Sequence, residues 1–273
     1  MVVFPNCKIN LGLRILNKRE DGFHNLETVF YPVAIKDALE IIPLHNANTA
    51  IEFTATGLIV DGNSDDNICV KAYHLLKKDF PLLPAVKMHL HKNIPMGAGL
   101  GGGSADGAFA VQLLDKKFNL NCSSTQLLDY AAQLGSDCPF FIINKPCYAT
   151  GRGEMLGGIA LDLSKYVITL VNPGIHINTG WAFSQLTPAR PQKNTRQIVM
   201  QPITTWKEEL QNDFEGPVFE KFPAIKQIKD ALYNCGAVYA AMSGSGSTVY
   251  GIFEKGITAP TFPGADYFVK TIA

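Results

Sequence analysis

The chain has 273 residues, 47% of them hydrophobic, which is enough to bury a core as one large domain or two smaller ones. Lysine plus arginine equals aspartate plus glutamate at 24 each, so no bulk charge directs the protein to nucleic acid or to a membrane. The N-terminus is interrupted by polar residues and no run of 18 apolar residues occurs, so we expect a cytoplasmic protein. The six scattered cysteines have neither a C-x-x-C pair nor metal-ligand spacing, which predicts reduced thiols.

The first predicted strand covers residues 2–16, where apolar side chains alternate around Ile9 and Leu11. Lys8 and Asn10 then share the opposite face, because the side chains on one face of a strand repeat every two residues. A lone lysine in a strand is usually a solvated edge residue, whereas an asparagine beside it on the same face indicates a polar site. Both interpretations stay open at this point.

Phe23 and His24 follow a predicted turn at Asp21 and Gly22. A histidine after a turn is more often structural than functional, but its aromatic neighbour would suit a flat ring ligand. The turn leads into further predicted strands, at residues 26–32, 37–44 and 50–58.

A glycine-rich loop lies in the middle of the chain, between a predicted strand around residues 86–90 and a predicted helix over residues 104–117. An amphipathic helix over residues 67–78 precedes them. Five of the seven residues in 97–103 are glycine. Glycine lets the backbone approach a ligand closely, and a helix start adds a partial positive charge of roughly +0.5. The order strand, glycine loop, helix therefore predicts a phosphate site.

This loop has three alternative interpretations. A P-loop requires a lysine before the closing serine, and Gly103 stands there instead. The dinucleotide pattern G-x-G-x-x-G matches formally at Gly97, Gly99 and Gly102. It also requires an acidic residue about 20 positions later at the end of a strand, where this chain predicts a helix exit and a new helix cap. A closely packed glycine turn without a ligand is the third alternative.

Asp137 is the acidic candidate of the chain's central part. A predicted helix over residues 123–134, capped by Ser123 or Ser124, ends just before it. Asp137 lies between a Gly-Ser pair and Pro139, followed by an aromatic and aliphatic run. Locally this favours a helix cap, with a chemically active acid as the alternative.

The last third predicts a strand over residues 166–171, a polar surface loop over 188–201 and a helix over 223–235. Two strands, 237–242 and 248–253, flank the Gly-Ser run at residues 243–247. That run fits a hairpin turn or a second glycine wall of a site. Strictly alternating βαβ units are absent, so we expect an α+β fold, with one domain over residues 1–155 and a second over 156–273.

Three stretches in this order resemble the GHMP kinase superfamily: residues 8–10, 95–104 and 242–247. The resemblance implies a two-lobed α+β fold with the active site in the interlobe cleft, and ATP as co-substrate with Mg²⁺. Residues 19–24, 66–67, 134–140 and 151–154 are similar to the branch that acts on 4-diphosphocytidyl-2-C-methyl-D-erythritol. They imply phosphorylation of its 2-hydroxyl in non-mevalonate isoprenoid biosynthesis, by a monomer or homodimer without nucleic-acid or membrane partners.

The resemblance also implies roles for individual residues. Lys8 and Asp137 would be catalytic, with Asp137 as the base at the acceptor hydroxyl. No protein ligand for a metal is implied. The residues implied at the nucleotide are Asn67, Lys92, Pro95, Met96, Gly97, Ala98, Gly99, Leu100, Gly101, Gly102, Gly103 and Ser104. Those implied at the acceptor substrate are Asn10, Phe23, His24, Thr179 and Phe183.

The nearest rival function is a sibling kinase for another small alcohol, such as mevalonate or homoserine. Phe23, His24 and Phe183 argue for a flat base in the acceptor. A dinucleotide-dependent oxidoreductase has only the G-x-G-x-x-G pattern in its favour. A catalytically silent nucleotide-binding module is the last alternative, and the presence of both Lys8 and Asp137 argues against it.

Overall fold

The structure is a computed structural model that describes residues 1–45, 49–59, 62–189, 191–257, 260–262 and 267–272. Its residues group into two compact units, each built from separate stretches of chain. The first unit consists of Met1–Cys7, Ala34–Met96 and Gly101–Asn144. The second consists of Lys8–Val33, Gly97–Leu100 and Lys145–Ala273. The second unit thus includes an early segment of the chain, and the domain boundary after residue 155 stays a prediction.

The strands are β1 Val2–Val3, β2 Asn6–Lys18, β3 His24–Lys36, β4 Ala38–Pro43, β5 Ile51–Gly57, β6 Val86–Lys92, β7 Cys147–Thr150, β8 Met155–Gly158, β9 Tyr166–Asn172, β10 Tyr239–Met242, β11 Val249–Glu254 and β12 Phe268–Ile272. The helices are α1 Ile68–Asp79, α2 Gly102–Phe118, α3 Ser124–Leu134, α4 Cys138–Ile143, α5 Thr179–Ser184, α6 Thr195–Val199, α7 Trp206–Glu209, α8 Glu215–Lys221 and α9 Pro223–Asn234. Short 3₁₀ helices occur at Ser64–Asp66 and Ile203–Thr205.

The first unit contains a sheet of order β1-β4-β6-β5. Strands β5 and β6 are parallel, with α1 in the connection between them, whereas β4 runs antiparallel to β6. Helices α1 and α2 bury side chains such as Tyr73 and Val111 against Leu39 and Met88 of the sheet. Each fully buried side chain of this size contributes roughly 1.5–3 kcal/mol. The end of β6 and the start of α2 flank the glycine loop. This packing fixes both of them within one helix-on-sheet unit.

The second unit contains the sheets β2-β3-β7-β8 and β10-β11-β9-β12. Ile225, Ile228 and Leu232 lie on one face of α9 and are buried with the second of these sheets, as the 3.6-residue period requires. Strands β10 and β11 pair antiparallel, so residues 243–247 form their hairpin turn. The mixture of one βαβ connection with mainly antiparallel pairing confirms the predicted α+β class.

Most predicted elements are confirmed, although the strand predicted over residues 2–16 is divided into β1 and β2. Lys8 is 3% exposed and Asn10 2% exposed, so the solvated-edge interpretation of this strand face is wrong. The surface-loop prediction for residues 188–201 is wrong where α6 forms. There, Asn194 and Gln197 make a reciprocal capping box, and Ile198 is buried. In the part of the chain that is described, no helix combines the length and hydropathy needed to cross a membrane.

Candidate active site

The glycine loop joins β6 to α2. Gly97, Gly99 and Gly101 have φ values of 62°, 77° and 68°, a left-handed conformation that side chains with a Cβ rarely adopt. Gly101 is the N-cap of α2 and supplies no side-chain acceptor. The first N–H groups of a helix have no partner within it, and the helix dipole is positive at this end. The loop therefore ends in a set of donors suited to an anion.

In the second unit the glycine loop contacts the turn at residues 243–247. The Ser243 hydroxyl donates a hydrogen bond of 2.7 Å to the carbonyl oxygen of Gly99. The N–H of Thr248 donates one of 3.2 Å to the carbonyl oxygen of Ala98. A Cβ on Gly99 would lie 2.0 Å from the Ser243 carbonyl oxygen, so only glycine fits this approach. The Gly-Ser run is thus both the β10–β11 turn and a wall of the glycine loop.

Strand β2 brings Lys8 to the same loop. The Lys8 N–H donates a hydrogen bond of 2.9 Å to the carbonyl oxygen of Leu100. The Lys8 ammonium donates one of 2.5 Å to Oδ1 of Asn10 and lies 4.7 Å from the centre of the Phe30 ring. The predicted pairing of Lys8 with Asn10 on one strand face is confirmed, and the pair is buried beside the loop.

Asn10 is held by hydrogen bonds on its backbone and on its side chain. Its N–H donates to the Ser243 hydroxyl at 3.2 Å, and its carbonyl oxygen accepts from the Tyr250 hydroxyl at 2.9 Å. Its side-chain Nδ2 donates to Oγ1 of Thr28 at 3.1 Å, and Thr28 in turn donates to the carbonyl oxygen of Gly12. Because Thr28 accepts from the amide nitrogen, the amide oxygen is directed at Lys8. Sequence reasoning missed Thr28 and Tyr250.

The first unit contains a cavity of about 510 Å³ next to the start of α2. Its lining includes the candidate residues Asn67, Lys92, Met96, Gly103 and Ser104. Apolar side chains and further polar groups complete it: Phe53, Ala55, Gly62, Asn63, Ser64, Asp66, Ile68, Leu90 and Asp106. A mainly apolar cavity with a few polar groups is typical of a site for a flat organic ring.

Asn67 has a structural task at this cavity. It is the N-cap of α1, and its Oδ1 accepts a hydrogen bond of 2.9 Å from the N–H of Cys69.

The other residues predicted at the nucleotide differ in exposure: Met96 is half exposed, whereas Ala98 and Leu100 are buried.

Lys92 is buried with two carboxylates. Its ammonium donates to Oδ2 of Asp37 at 2.5 Å and to Oδ2 of Asp106 at 2.8 Å. Burial raises the pKa of Asp106 to about 7, and the neighbouring Lys92 only partly opposes this shift. Burial lowers the pKa of Lys92, but the two carboxylates outweigh it and leave that pKa raised. Sequence reasoning missed both carboxylates, although Asp106 is the only charged residue between Lys92 and Asp115.

Asp137 stands at the N-cap position of α4, with φ −86° and ψ −15°, but its side chain makes no cap hydrogen bond. Asp137 is therefore the N-cap residue by position, as its local sequence favours, but its side chain does not act as the cap, and its backbone is helical rather than extended. The adjacent Cys138 is buried, and the Ser104 side chain in the first turn of α2 lies near enough to influence the pKa of its thiol. Burial is also the main reason that the pKa of the Cys138 thiol is raised to about 12.

An aromatic group forms in the second unit. The His24 and Phe183 rings stack with centres 5.1 Å apart and an angle of 21° between their planes. Phe23 is 53% exposed and lies 4.7 Å from the Arg152 guanidinium. Burial and, to a smaller extent, Lys18 lower the pKa of His24, which favours the neutral ring, with one nitrogen as donor and one as acceptor.

Thr179 begins α5, whose N-cap Asn178 accepts a hydrogen bond from the N–H of Trp181. The Thr179 and Ser245 hydroxyls are 3.2 Å apart. This contact joins a candidate substrate residue to the turn that walls the glycine loop.

The sequence patterns of two domain families match this chain. The GHMP kinases N terminal domain matches residues 67–145, which include the glycine loop, and the GHMP kinases C terminal domain matches residues 197–260, which include the Ser243 turn. The fold and the loop are those of a GHMP kinase.

More narrowly, the chain belongs to the 4-diphosphocytidyl-2-C-methyl-D-erythritol kinase family. It is 49% identical over 270 residues to the protein of that name from Bacteroides fragilis, covering 98% of each chain. It is 51% identical over 260 residues to the one from Bacteroides thetaiotaomicron, covering 95% of this chain and 94% of that one.

Solved structures agree with this assignment. A crystal structure of 4-(cytidine 5'-diphospho)-2C-methyl-D-erythritol kinase matches with a TM-score of 0.79 and 30% identity, covering 92% of this chain and 90% of that one. The Methanococcus jannaschii mevalonate kinase shares the fold, with a TM-score of 0.70 at 11% identity over 94% of this chain and 92% of that one.

The dinucleotide interpretation of the glycine loop is wrong, since residues 116–124 form the end of α2 and the cap of α3 rather than a strand.

Proposed function

We propose that this chain transfers the γ-phosphoryl group of ATP to the 2-hydroxyl of 4-diphosphocytidyl-2-C-methyl-D-erythritol, giving the 2-phosphate and ADP in isoprenoid precursor biosynthesis. The observation that carries the proposal is the direct bonding of the Lys8–Asn10 strand to the glycine loop, through Leu100 and Ser243. These bonds connect the strand that carries the buried Lys8 ammonium to the glycine loop, whose backbone N–H groups are suited to an anion. The names of the relatives support the choice of acceptor.

The glycine loop and the first turn of α2 bind the triphosphate in this proposal. Residues 97–103 present backbone N–H groups, and Ser104 adds a hydroxyl at the helix start. The cavity beside α2 accommodates the base, with Asn67, Lys92, Pro95 and Met96 on the nucleotide side. Its apolar residues Phe53, Ile68 and Leu90 suit the faces of a purine ring.

Asp137 accepts the proton of the acceptor hydroxyl as the phosphoryl group is transferred. Phosphoryl transfer has a loose transition state, so positioning and charge stabilisation contribute more than the strength of the base. Lys8 supplies the positive charge, and its ammonium is already oriented by Oδ1 of Asn10. A base and an oriented cation are the two groups that this chemistry requires from side chains.

The acceptor substrate contacts Asn10, Phe23, His24, Thr179 and Phe183. The neutral His24 ring offers a donor and an acceptor for the hydrogen-bonding edge of cytosine. The stacked His24–Phe183 pair and the exposed Phe23 ring provide flat apolar faces. An acceptor alcohol without a ring would leave these faces unused, which argues against mevalonate and homoserine.

Magnesium enters with ATP in this proposal, and we assign it no protein ligand. Because Mg²⁺ dehydrates reluctantly, the triphosphate of ATP would hold the ion in the main, and the N–H groups of the glycine loop would bind the phosphate oxygens. When bound, the ion neutralises charge on the phosphates.

We further propose a cytoplasmic enzyme that works as a monomer or homodimer, without nucleic-acid or membrane partners. An N-terminal domain over residues 1–155 and a C-terminal domain over 156–273 stay part of the proposal.

The test is an ADP-release assay with purified protein and three alcohols: 4-diphosphocytidyl-2-C-methyl-D-erythritol, mevalonate and homoserine. We expect turnover with the cytidyl alcohol alone. Turnover with mevalonate or homoserine and none with the cytidyl alcohol would overturn the choice of substrate. ATP binding without any turnover would support the silent nucleotide-binding module instead.

A further inference from the structure

The buried Asp37, Lys92 and Asp106 join three separate pieces of the first unit. Lys92 is the last residue of β6, Asp37 directly precedes β4, and Asp106 is the fifth residue of α2. The Lys92 ammonium bonds both carboxylates, and all three side chains are at most 2% exposed. One ammonium thus links the strand before the glycine loop to the helix after it.

Asp37 extends this link towards the glycine loop. Its second oxygen, Oδ1, accepts hydrogen bonds from the N–H of Asn93 at 2.6 Å and from the N–H of Ile94 at 2.9 Å. These are the two residues that follow β6 on the way into the loop. The backbone leaving β6 is therefore fixed by the same carboxylate that receives the ammonium.

Gly102, the first residue of α2, is in close contact with this cluster. A Cβ at Gly102 would lie 2.8 Å from Cγ2 of Ile94 and 3.4 Å from Nζ of Lys92. The strand exit and the helix start therefore touch at the base of the loop. The segment from Ile94 to Gly102 spans eight peptide bonds. It is held at both ends by contacts with Lys92 and its hydrogen-bond partners.

Stability alone is a poor reason for such an arrangement. Burying an ion pair often costs more desolvation free energy than the attraction returns, and apolar replacements of similar volume are often neutral or stabilising. The Oδ1 atom of Asp106 adds to the cost, because it is buried without a hydrogen-bond partner among the described residues. An ammonium beside the positive end of α2 is unfavourable as well, unless carboxylates balance it.

We propose that Asp37, Lys92 and Asp106 are positioning residues that hold the two ends of the glycine loop at the separation in which the loop binds the triphosphate. The proposal rests on the proposed ATP site. These residues act on the loop through its backbone and perform no chemistry themselves, and Lys92 and Asp106 also line the cavity proposed for the base. Their loss leaves a loop that must be ordered when ATP binds, at a cost to affinity.

The deciding variant removes all charges at once: Lys92→Met, Asp37→Asn and Asp106→Asn together. Single variants such as Lys92→Met leave buried carboxylates without their cation and are expected to be strongly destabilised. The triple variant leaves no unpaired buried charge, because all three side chains are neutral. In addition, an asparagine oxygen at position 37 still accepts from the N–H groups of Asn93 and Ile94.

Three measurements on the full chain separate positioning from stability: the melting temperature, the KM values for both substrates, and amide hydrogen exchange of residues 97–103 without ligand. For the triple variant we expect a melting temperature near that of the wild type and faster exchange in the loop. We also expect a KM for ATP raised about tenfold, as for a loop ordered on binding, and a KM for the cytidyl alcohol within about twofold of the wild type.

Tyr130→Phe is the control, because the Tyr130 hydroxyl donates a hydrogen bond of 2.6 Å to Asp79, the last residue of α1, in the same unit. It should lower the melting temperature without changing loop exchange or the KM for ATP. Unchanged loop exchange in the triple variant overturns the positioning role, and so does unfolding of that variant, which would assign the three residues to stability. Loop exchange is measured without substrates, so it decides this proposal even where the wild type proves inactive as a kinase.

Discussion

The ammonium of Lys8 and the side-chain oxygen of Asn10 are 2.5 Å apart on one face of β2. The amide nitrogen of Asn10 is in turn 3.1 Å from the Thr28 hydroxyl of β3. Thr28 therefore selects which end of the amide points at the lysine. A side chain outside the predicted set thus sets the orientation of two residues within it.

Thr28→Val tests this orientation. Valine has the shape of threonine but no hydroxyl, so it leaves the buried Nδ2 of Asn10 without its acceptor at a cost of about 1–3 kcal/mol. That cost is paid in stability, whereas the rate falls because the Asn10 amide is then free to turn its oxygen away from Lys8. We expect kcat to fall by roughly tenfold, which corresponds to a loss of about 1.4 kcal/mol of transition-state stabilisation. Thr28→Ser keeps the hydroxyl and should retain most of the activity. An ADP-release assay checks both variants, and wild-type kcat in Thr28→Val would remove the orienting role.

Asp137→Asn tests the proposed base. The substitution keeps the size of the side chain but removes its capacity to accept a proton, and general-base catalysis typically contributes about 10²–10⁴-fold. We expect kcat to fall within that range while the Kd for ATP, measured by calorimetry, stays unchanged. Because the side chain makes no cap hydrogen bond, α4 should keep its stability. Near-normal turnover would exclude Asp137 as the base.

His24→Ala tests the acceptor site. Loss of the His24–Phe183 stack and of the ring nitrogens should raise the KM for the cytidyl alcohol by roughly tenfold, since an aromatic pair alone contributes about 0.5–1.5 kcal/mol. The KM for ATP should stay the same. His91→Ala is the control, because His91 is an exposed histidine of β6. Equal KM values in wild type and His24→Ala would refute the reading of cytosine by His24.

The raised pKa of Asp106 predicts how stability depends on pH. The folded carboxyl holds its proton up to about pH 7, whereas the unfolded carboxyl releases it near 3.8. The folded state binds more protons in that window, so this group lowers the free energy of unfolding as pH rises from about 4 to about 7. Above pH 7 its effect is constant.

Asp106→Asn removes this titration. Urea unfolding of wild type and variant at several pH values between 4 and 8 should show a flatter pH dependence in the variant. Parallel curves for the two proteins across that window would contradict the raised pKa of Asp106.

Local patterns in the sequence predicted what local physics decides. The glycine loop, the start of α2 and the cap at Ser123 depend on residues close in sequence, and each is confirmed. The hydrogen-bonded neighbours of the site are different, because Asn10 meets Ser243 across 233 positions and Lys92 meets Asp37 across 55. No periodicity in a single sequence specifies such pairs.

Two features that the sequence analysis missed have a signal in the local sequence. Asn194 followed three residues later by Gln197 is a capping pattern, and it marks α6 within a segment that composition alone assigned to a loop. A single carboxylate in a long uncharged stretch around the glycine loop marks Asp106 as buried and paired, or as functional. Asp137 is harder, because its flanking residues favour a cap and it does occupy the N-cap position of α4, whereas the absence of a side-chain cap hydrogen bond is visible only in the structure.

The backbone bond from Lys8 to Leu100 has a kinetic consequence. Strand β2 and the first half of the glycine loop are joined by this hydrogen bond, so the Lys8 ammonium and the amides proposed to bind phosphate are already placed together before ATP arrives. The search through relative orientations is then completed during folding and need not be repeated in each catalytic cycle. Folding therefore orients these groups before the catalytic cycle begins.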